Sequence, residues 1–125
     1  MSDKYLLETN IVLYILNGEE DLVTFLDGSQ LFISIITELE LLSYSGITEI
    51  EMQNVEAFIN DITVIPLNTE VKTSTIVTRK QSKLKLADSI IAASSMVYGM
   101  QLVTADKHFK SVNELQLIYY ESSNN

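Results

Sequence analysis

Short apolar runs alternate along this chain with longer segments in which apolar residues return every three or four positions. The short runs are rich in β-branched and aromatic residues, a composition that predicts strands. These strands are expected at residues 5–7, 31–35, 62–65, 101–104 and 115–119. The longer segments show the period of amphipathic helices. Helices are expected at residues 11–16, 19–26, 38–44, 69–84 and 86–98, with another opening at Thr48 and a helical turn at 106–109.

The alternation of strands with helices predicts an α/β fold. Connections of this kind favour a mostly parallel central sheet, here of about five strands, flanked by helices on both faces. With 125 residues, the chain has the length of a single domain. We expect the domain to span residues 1–121 and the polar residues 122–125 to form a disordered tail.

Local sequence signals mark the ends of several predicted helices. Asn10 is expected to cap the first helix, which then ends at Asn17 and Gly18. Thr48 and Glu51 have the spacing of a capping box, in which each side chain accepts a hydrogen bond from the backbone of the other residue. These signals predict where the helices begin and end.

The charge of the chain is unevenly distributed. The net charge is −9, but residues 1–70 hold one Lys and no Arg against thirteen acids, whereas residues 71–125 hold seven Lys and Arg against four acids. Overall acidity argues against a nucleic-acid partner, because phosphate binding normally requires a basic surface. The basic residues nevertheless surround two acids: Arg79, Lys80, Lys83 and Lys85 precede Asp88, and Lys107 and Lys110 follow Asp106. A phosphate substrate would favour this arrangement, although solubility alone explains each cluster.

The composition of the chain argues against several kinds of functional site and cellular location. The chain has no Cys, which excludes disulfides and thiolate metal sites and fits a reducing compartment. No basic region followed by a long apolar stretch opens the sequence, so we expect no signal peptide. No apolar run approaches the roughly 20 residues that span a bilayer. A cytoplasmic protein is expected.

Four carboxylates stand at the junctions between predicted elements. Glu8 follows the first strand, Glu40 lies about one turn into the helix after the second strand, Asp88 lies in the first turn of its helix, and Asp106 follows the fourth strand. Open α/β sheets bind ligands outside the carboxyl ends of their strands. Each acid alone has a structural explanation, since Asp88 and Asp106 suit helix N-termini and Glu40, like Glu38, suits a solvent-facing helix.

Together, the four carboxylates predict a site for a divalent cation, because clustered acids repel one another unless a positive charge lies among them. Mg²⁺ prefers oxygen ligands and commonly shares its coordination between carboxylates, waters and substrate phosphates. Metal-assisted hydrolysis of a phosphodiester fits this set, since it requires no nucleophilic Ser, Cys or His from the protein.

Four segments resemble the motifs of PIN-domain nucleases, particularly the VapC-like toxins of toxin–antitoxin pairs. They are LLETNIVLY at 6–14, ISIITELEL at 33–41, LKLADSIIAA at 84–93 and LVTADKHF at 102–109, and they occur in the family's order. The resemblance implies a PIN fold, dependence on Mg²⁺ or Mn²⁺, RNA as substrate, an antitoxin partner and a homodimer.

The resemblance also implies roles for individual residues. It assigns catalysis and metal binding to Glu8, Glu40, Asp88 and Asp106; the acid of the second motif maps to Glu40 rather than to Glu38. We expect Asn10 and Thr104 to support these acids, and the residues Arg79, Lys80, Lys83 and Lys85 to bind RNA.

Thr9, Asn10 and Thr104 lie beside the acids and could orient a ligand or a water by hydrogen bonds. Helix capping for Asn10 and a strand end for Thr104 explain these two residues nearly as well. His108 is expected to be exposed to solvent between its neighbouring lysines.

One position departs from the family pattern. The first motif of the family carries Asp, whereas this chain has Glu8. The additional methylene moves the carboxylate outward, and Mg²⁺ requires near-ideal geometry. The alternative function is therefore a weakened or inactive PIN scaffold that acts as a protein-binding module.

Overall fold

The strands form one parallel sheet in the structure, a computed structural model that describes residues 3–122. All four strand pairings are parallel, and the spatial order is β3-β2-β1-β4-β5. The strands are β1 (Lys4–Leu7), β2 (Gln30–Ser34), β3 (Thr63–Ile65), β4 (Gln101–Thr104) and β5 (Leu117–Tyr119). The predicted α/β fold with a mostly parallel sheet of about five strands is confirmed.

Helices cover both faces of this sheet. They are α1 (Thr9–Leu16), α2 (Glu20–Leu26), α3 (Ile35–Leu42), α4 (Glu49–Asn60), α5 (Thr69–Gln81) and α6 (Leu86–Val97), and a 3₁₀ turn spans Lys107–Ser111. Among the helices described, none is both long and apolar enough to cross a membrane.

The central strand β1 separates two hydrophobic cores. Successive side chains of a strand point to opposite faces of the sheet. Leu7 is fully buried among Ile11 and other residues of α1–α4, whereas Leu6 is fully buried among Ile91, Phe109 and other residues of α5, α6 and the 3₁₀ turn. Burial of each Leu side chain stabilises the fold by about 1.5–3 kcal/mol, so β1 is held firmly from both faces.

The strand order reverses beside β1. The chain leaves β1 to form β2 and β3 on one side, and it later forms β4 and β5 on the other side. The crevice between the carboxyl ends of β1 and β4 is therefore a topological switch point, the place where open α/β sheets bind ligands. Glu8 directly follows β1, and Asp106 lies two residues after β4.

Side-chain capping sets the beginning of the first helix, and the predicted cap was wrong. α1 begins at Thr9, and its N-cap is Glu8, whose side chain accepts a hydrogen bond from the backbone N–H of Asn10. Asn10 therefore lies inside the first turn. The predicted end at Asn17 is confirmed, since Gly18 has a φ of +81°, a left-handed conformation that favours glycine.

The third helix begins earlier than predicted. The Ser34 hydroxyl accepts a hydrogen bond from the Ile36 backbone N–H at 3.1 Å, so Ile35 opens α3 instead of ending a strand. This cap satisfies a donor that would otherwise have no partner at the helix N-terminus. The capping box predicted at Thr48 and Glu51 is present with both of its hydrogen bonds.

The fifth helix ends earlier than predicted. Ser82 has an extended backbone and donates its hydroxyl hydrogen bond to the Thr78 carbonyl at 2.7 Å, so α5 stops at Gln81 instead of residue 84. Arg79 then reaches past the helix end and donates to the Leu84 carbonyl at 2.9 Å. This contact fixes the connection that leads to α6.

The end of the chain is attached to the corner between α1 and α2. Buried Glu19 accepts hydrogen bonds on Oε1 from the Tyr120 hydroxyl at 2.6 Å and from the Ser122 hydroxyl at 2.8 Å. The Tyr120 ring packs on Tyr14, with 5.9 Å between the ring centroids. The tail expected at residues 122–125 lies outside the described residues apart from Ser122.

The Tyr120 contact predicts a change of stability at alkaline pH. The hydrogen bond to Glu19, assisted by burial and by the negative charges of Glu19 and Asp21, raises the pKa of Tyr120 to about 12. An unfolded tyrosine titrates at about 10, so the stabilisation is complete below about pH 10 and is lost as the pH rises toward 12.

Ultraviolet titration of tyrosinate checks this prediction by comparison of the natural chain with Tyr120→Phe. We expect the difference between the two proteins to show one tyrosine that ionises near pH 12. In Glu19→Gln, which removes the charged acceptor, the same tyrosine should ionise closer to its ordinary pKa. A difference curve centred near pH 10 in the natural chain would contradict the assignment.

Candidate active site

Glu8 lies buried at the switch point between β1 and β4. Its side chain is only 6% exposed. Oε1 accepts a hydrogen bond from the Thr104 hydroxyl at 3.0 Å, and Oε2 accepts one from the Asn10 backbone N–H at 3.2 Å. Both oxygens of this carboxylate are therefore engaged by the protein. Thr104 and Asn10 were the two predicted supporting residues; Thr104 contacts Glu8 through its side chain, and Asn10 contacts it through its backbone.

The Thr104 hydroxyl also connects Glu8 to Asp106. It accepts a hydrogen bond from the Asp106 backbone N–H at 3.0 Å. Oδ1 of Asp106 in turn accepts from the His108 backbone N–H at 2.9 Å and lies 2.7 Å from His108 Nδ1. Asp106 thus begins the 3₁₀ turn as its cap while its side chain stays about one-third exposed.

Glu40 of α3 is held by Thr9 of α1, which is also hydrogen-bonded to Thr37. The Thr9 hydroxyl contacts Glu40 Oε1 at 2.6 Å, and the hydroxyls of Thr9 and Thr37 are hydrogen-bonded at 3.1 Å. Thr37 was not among the predicted site residues. The signal that points to it is its spacing, because residues three apart on a helix lie on the same face and Thr37 precedes Glu40 by one turn. Glu38, by contrast, has no such contact with Thr9 in the described structure.

The four carboxylates act on one another electrostatically. Burial raises the pKa of Asp88, and the negative charges of Asp106 and Glu40 raise it further, against the opposing effect of Lys85 and His108. Burial likewise raises the pKa of Glu8, with smaller contributions from Asp106 and Asp88 that the hydrogen bonds from Asn10 and Thr104 oppose. Burial and neighbouring acids therefore both favour the protonated forms of Glu8 and Asp88.

A cleft of about 570 Å³ opens beside these acids. Two acids lie in it, Asp88 and Asp106, among a surplus of basic side chains. Its lining residues are Lys83, Leu84, Lys85, Asp88, Asp106, Lys107, His108 and Ser111. Another cavity, of about 290 Å³, lies against α5 and α6, but Glu114 is its one charged lining residue. The charged cleft is therefore the candidate site.

The predicted RNA-binding residues divide into two groups in the structure. Lys83 and Lys85 line the cleft, whereas Arg79 is engaged with the Leu84 carbonyl and Lys80 is exposed elsewhere on α5. Lys107 and His108 also line the cleft. His108 is 85% exposed, as predicted, but its contact with Asp106 places it at the site.

The donor set fits a hard divalent cation in its chemistry. Carboxylate oxygens are the ligands that Mg²⁺ prefers. Burial is the main reason for the raised pKa values of Glu8 and Asp88, and neighbouring carboxylates add to it. Within residues 3–122, no three Asp, Glu or His side chains are grouped closely enough to hold a metal ion together.

Removal of the Thr104 hydroxyl should destabilise the protein. Thr104→Val keeps the shape of the side chain but leaves Glu8 Oε1 and the Asp106 N–H without this partner. An unsatisfied buried group costs about 1–3 kcal/mol in the free energy of unfolding, and urea denaturation of the metal-free protein measures it. Thr104→Ser retains the hydroxyl and is the matched control. A valine variant as stable as the serine variant would contradict the role of this hydrogen bond.

Comparisons with known proteins agree with this architecture. The chain matches the PIN domain over residues 5–115. No curated protein matches it at a significant level. Among solved structures, it is similar to VapBC2 from Rickettsia felis bound to a DNA fragment from their promoter, with 23% identity, a TM-score of 0.83 and coverage of 94% of this chain and 99% of that chain.

Two further structures are similar. A toxin–antitoxin complex from Klebsiella pneumoniae has 24% identity and a TM-score of 0.79, with coverage of 94% of this chain and 99% of that chain. DNA-bound VapBC from Salmonella typhimurium has 22% identity and a TM-score of 0.77, with coverage of 94% and 98%. At these identities the likeness shows a shared fold. Because the family match spans nearly the whole chain and the structure has the same fold, this chain belongs to the PIN domain family, a family of nucleases.

Proposed function

We propose that this protein is a metal-dependent endoribonuclease that hydrolyses RNA phosphodiester bonds and acts as the toxin of a toxin–antitoxin pair. The observation that carries this proposal is the charged cleft that Asp88 and Asp106 line among basic side chains. Glu40 contributes to the raised pKa of Asp88, and Asp88 and Asp106 contribute to the raised pKa of Glu8, so all four acids belong to one electrostatic group. Membership of a nuclease family supports the same chemistry.

Mg²⁺ or Mn²⁺ is the proposed cofactor. Mg²⁺ commonly uses one or two protein carboxylates and completes its coordination with waters and phosphate oxygens. Asp88 and Asp106 line the cleft and would be those two ligands, whereas Glu8 and Glu40 would hold the ion directly or through waters. When bound, the cation would neutralise charge on the phosphodiester and activate the attacking water.

The remaining side chains of the cleft position the substrate. Three lysines that line the cleft, Lys83, Lys85 and Lys107, would attract the phosphates of an RNA strand. Arg79 would act indirectly, because its hydrogen bond to Leu84 fixes the connection that carries two of these lysines. Lys80 would contact phosphates outside the cleft.

Thr9 and Thr104 have positioning roles in this proposal. Thr9 orients Glu40 through its hydroxyl, and Thr104 orients Glu8. Side chains that orient ligating carboxylates fix the geometry on which metal binding and catalysis depend.

An antitoxin and a second copy of the chain are the proposed partners. The similar solved structures include toxin–antitoxin complexes, which supports a protein partner of this class. Large apolar side chains are exposed around α3 and α4, at Leu39, Leu42, Tyr44 and Ile50. Apolar surface of this kind favours association with another protein.

One observation favours a second function, that of a binding module without catalysis. Both oxygens of Glu8 are engaged by the protein, and the side chain caps α1. A carboxylate used in this way is withdrawn from the metal, so the site would be short of one ligand. The chain would then bind its protein partner as an inactive PIN scaffold.

Neutralisation of a cleft carboxylate tests the nuclease. Asp88→Asn and Asp106→Asn should each lower cleavage of a mixed pool of structured RNAs by at least about 100-fold, because each removes a negative ligand from the site. Purified protein without antitoxin is assayed with Mg²⁺, Mn²⁺ or EDTA, and EDTA should abolish cleavage. Asp88→Asn should also be slightly more stable without metal, by less than about 1 kcal/mol, since it relieves repulsion at a partly solvated position. Full activity in Asp88→Asn would refute the assignment.

Substitution of Glu8 separates the two functions. Glu8→Gln keeps the length of the side chain but removes its charge, and we expect cleavage to fall by about tenfold or more if Glu8 serves the metal. Glu8→Asp restores the residue of the family's first motif. If the natural chain does not cleave RNA but the Glu8→Asp variant does, the result would support the binding module instead. Calorimetric titration with Mn²⁺ gives a second readout, since the active site should bind the ion more weakly after Glu8→Gln.

A further inference from the structure

Arg79 connects the end of α5 to the beginning of α6. It lies in the last turn of α5, and its guanidinium donates a hydrogen bond to the Leu84 carbonyl at 2.9 Å. Leu84 is buried in the core and also lines the cleft. The next residue, Lys85, is the N-cap of α6. Arg79 therefore holds the chain at the residue that precedes the cap of the helix that carries Asp88.

The N-terminus of α6 depends on this connection. Within the described residues, the Lys85 side chain forms no capping hydrogen bond with the first turn of α6. The Ser82 hydroxyl accepts a hydrogen bond from the Leu84 backbone N–H, but this contact is 3.4 Å long. Arg79 makes the shorter contact with Leu84, and its charge strengthens the hydrogen bond. The guanidinium is therefore the main polar restraint on the beginning of α6.

Asp88 lies in the first turn of α6, so its position follows that of the helix start. It is separated from Leu84 by about one helical turn. A displacement of the Leu84 peptide would therefore move the Asp88 carboxylate. Misplacement of a reacting group by about 1 Å can lower a rate on the order of 100-fold.

We propose that Arg79 is a positioning residue of the nuclease site, which fixes Asp88 through the Leu84 peptide and does not bind the RNA strand. The inference rests on the proposed function, because it takes Asp88 to be a ligand of Mg²⁺ or Mn²⁺. It goes beyond the support that Arg79 gives to the cleft lysines, since it connects Arg79 to metal binding.

A direct contact with an RNA phosphate is the competing role for Arg79, because a guanidinium has further N–H donors. Loss of a phosphate contact lowers RNA affinity and makes that affinity less dependent on salt. It does not weaken the binding of a cation, since removal of a positive charge favours a cation nearby. Loss of a positioning residue has the opposite effects: metal binding weakens, and the salt dependence of RNA binding is unchanged.

Calorimetric titration of the full-length protein with Mn²⁺, in the absence of RNA, is the first experiment. Arg79→Ala should weaken Mn²⁺ binding by about tenfold or more, the effect of losing a residue that orients metal ligands. Arg79→Lys keeps the positive charge but has a shorter side chain without the planar guanidinium. It should weaken Mn²⁺ binding in the same direction, and it decides the question if the alanine variant does not fold.

Lys80→Ala is the matched control. Lys80 is the next residue of α5, is exposed and carries the same charge as Arg79. Its replacement removes one positive charge from the same turn without a change in the contact with Leu84. We expect Lys80→Ala to retain the Mn²⁺ affinity of the natural chain and to make RNA binding less dependent on salt.

Cleavage kinetics give a second readout that a loss of RNA contact would not reproduce. Arg79→Ala should lower kcat by about tenfold or more and leave KM within about twofold, because it misplaces a reacting group and removes no contact with the substrate. Loss of a phosphate contact would instead raise KM. Circular dichroism and urea denaturation establish that each variant is folded under the assay conditions.

The outcomes distinguish failure of this inference from failure of the proposed function. Natural Mn²⁺ affinity in folded Arg79→Ala, or a raised KM with unchanged kcat, would overturn the positioning role while metal-dependent cleavage by the natural chain stands. A natural chain that neither binds Mn²⁺ nor cleaves RNA would overturn both.

Discussion

The hydrogen bond from Thr104 to Glu8 is the contact on which the rest of the site depends. It joins the carboxyl ends of two adjacent parallel strands through residues 96 positions apart in the sequence. Because Glu8 is buried, its carboxylate requires this partner as well as the Asn10 N–H. The same threonine hydroxyl fixes the backbone of Asp106, so one side chain relates the first acid of the site to the last.

Burial and neighbouring carboxylates both act against ionisation of two acids at this edge of the sheet. Burial raises the pKa of Glu8 and of Asp88, nearby acids add to the effect, and Lys85 and His108 oppose it at Asp88. Helices α1–α4, which cover one face of the sheet, belong to the acidic half of the chain, whereas the basic residues follow on α5 and around the cleft. A cation bound among these acids would favour their ionised forms, which connects the electrostatics of the site to the proposed Mg²⁺ or Mn²⁺.

Much of this arrangement followed from sequence patterns. Hydrophobic periodicity identified the strands and helices, and positions at the junctions between predicted elements identified the four acids. Errors occurred where a side chain competes for a helix end: Glu8 replaced Asn10 as a cap, and Ser34 opened α3 earlier than expected. Periodicity does not record such contacts, because a cap depends on one hydrogen bond. Thr37 was not predicted for a similar reason, since its role arises from a hydrogen bond between α3 and Thr9 of α1.

The sequence by itself determined the α/β class, the order of the elements and membership of the PIN domain family, because these depend on local periodicity and on motifs that are contiguous in the chain. Only the tertiary structure decided which side chains meet. It withdrew Glu8 into hydrogen bonds with the protein, engaged Arg79 at a helix end and brought His108 beside Asp106. These contacts depend on parallel strand pairing and burial between segments far apart in sequence, and the energy of a buried polar group is set by partners that no local pattern specifies.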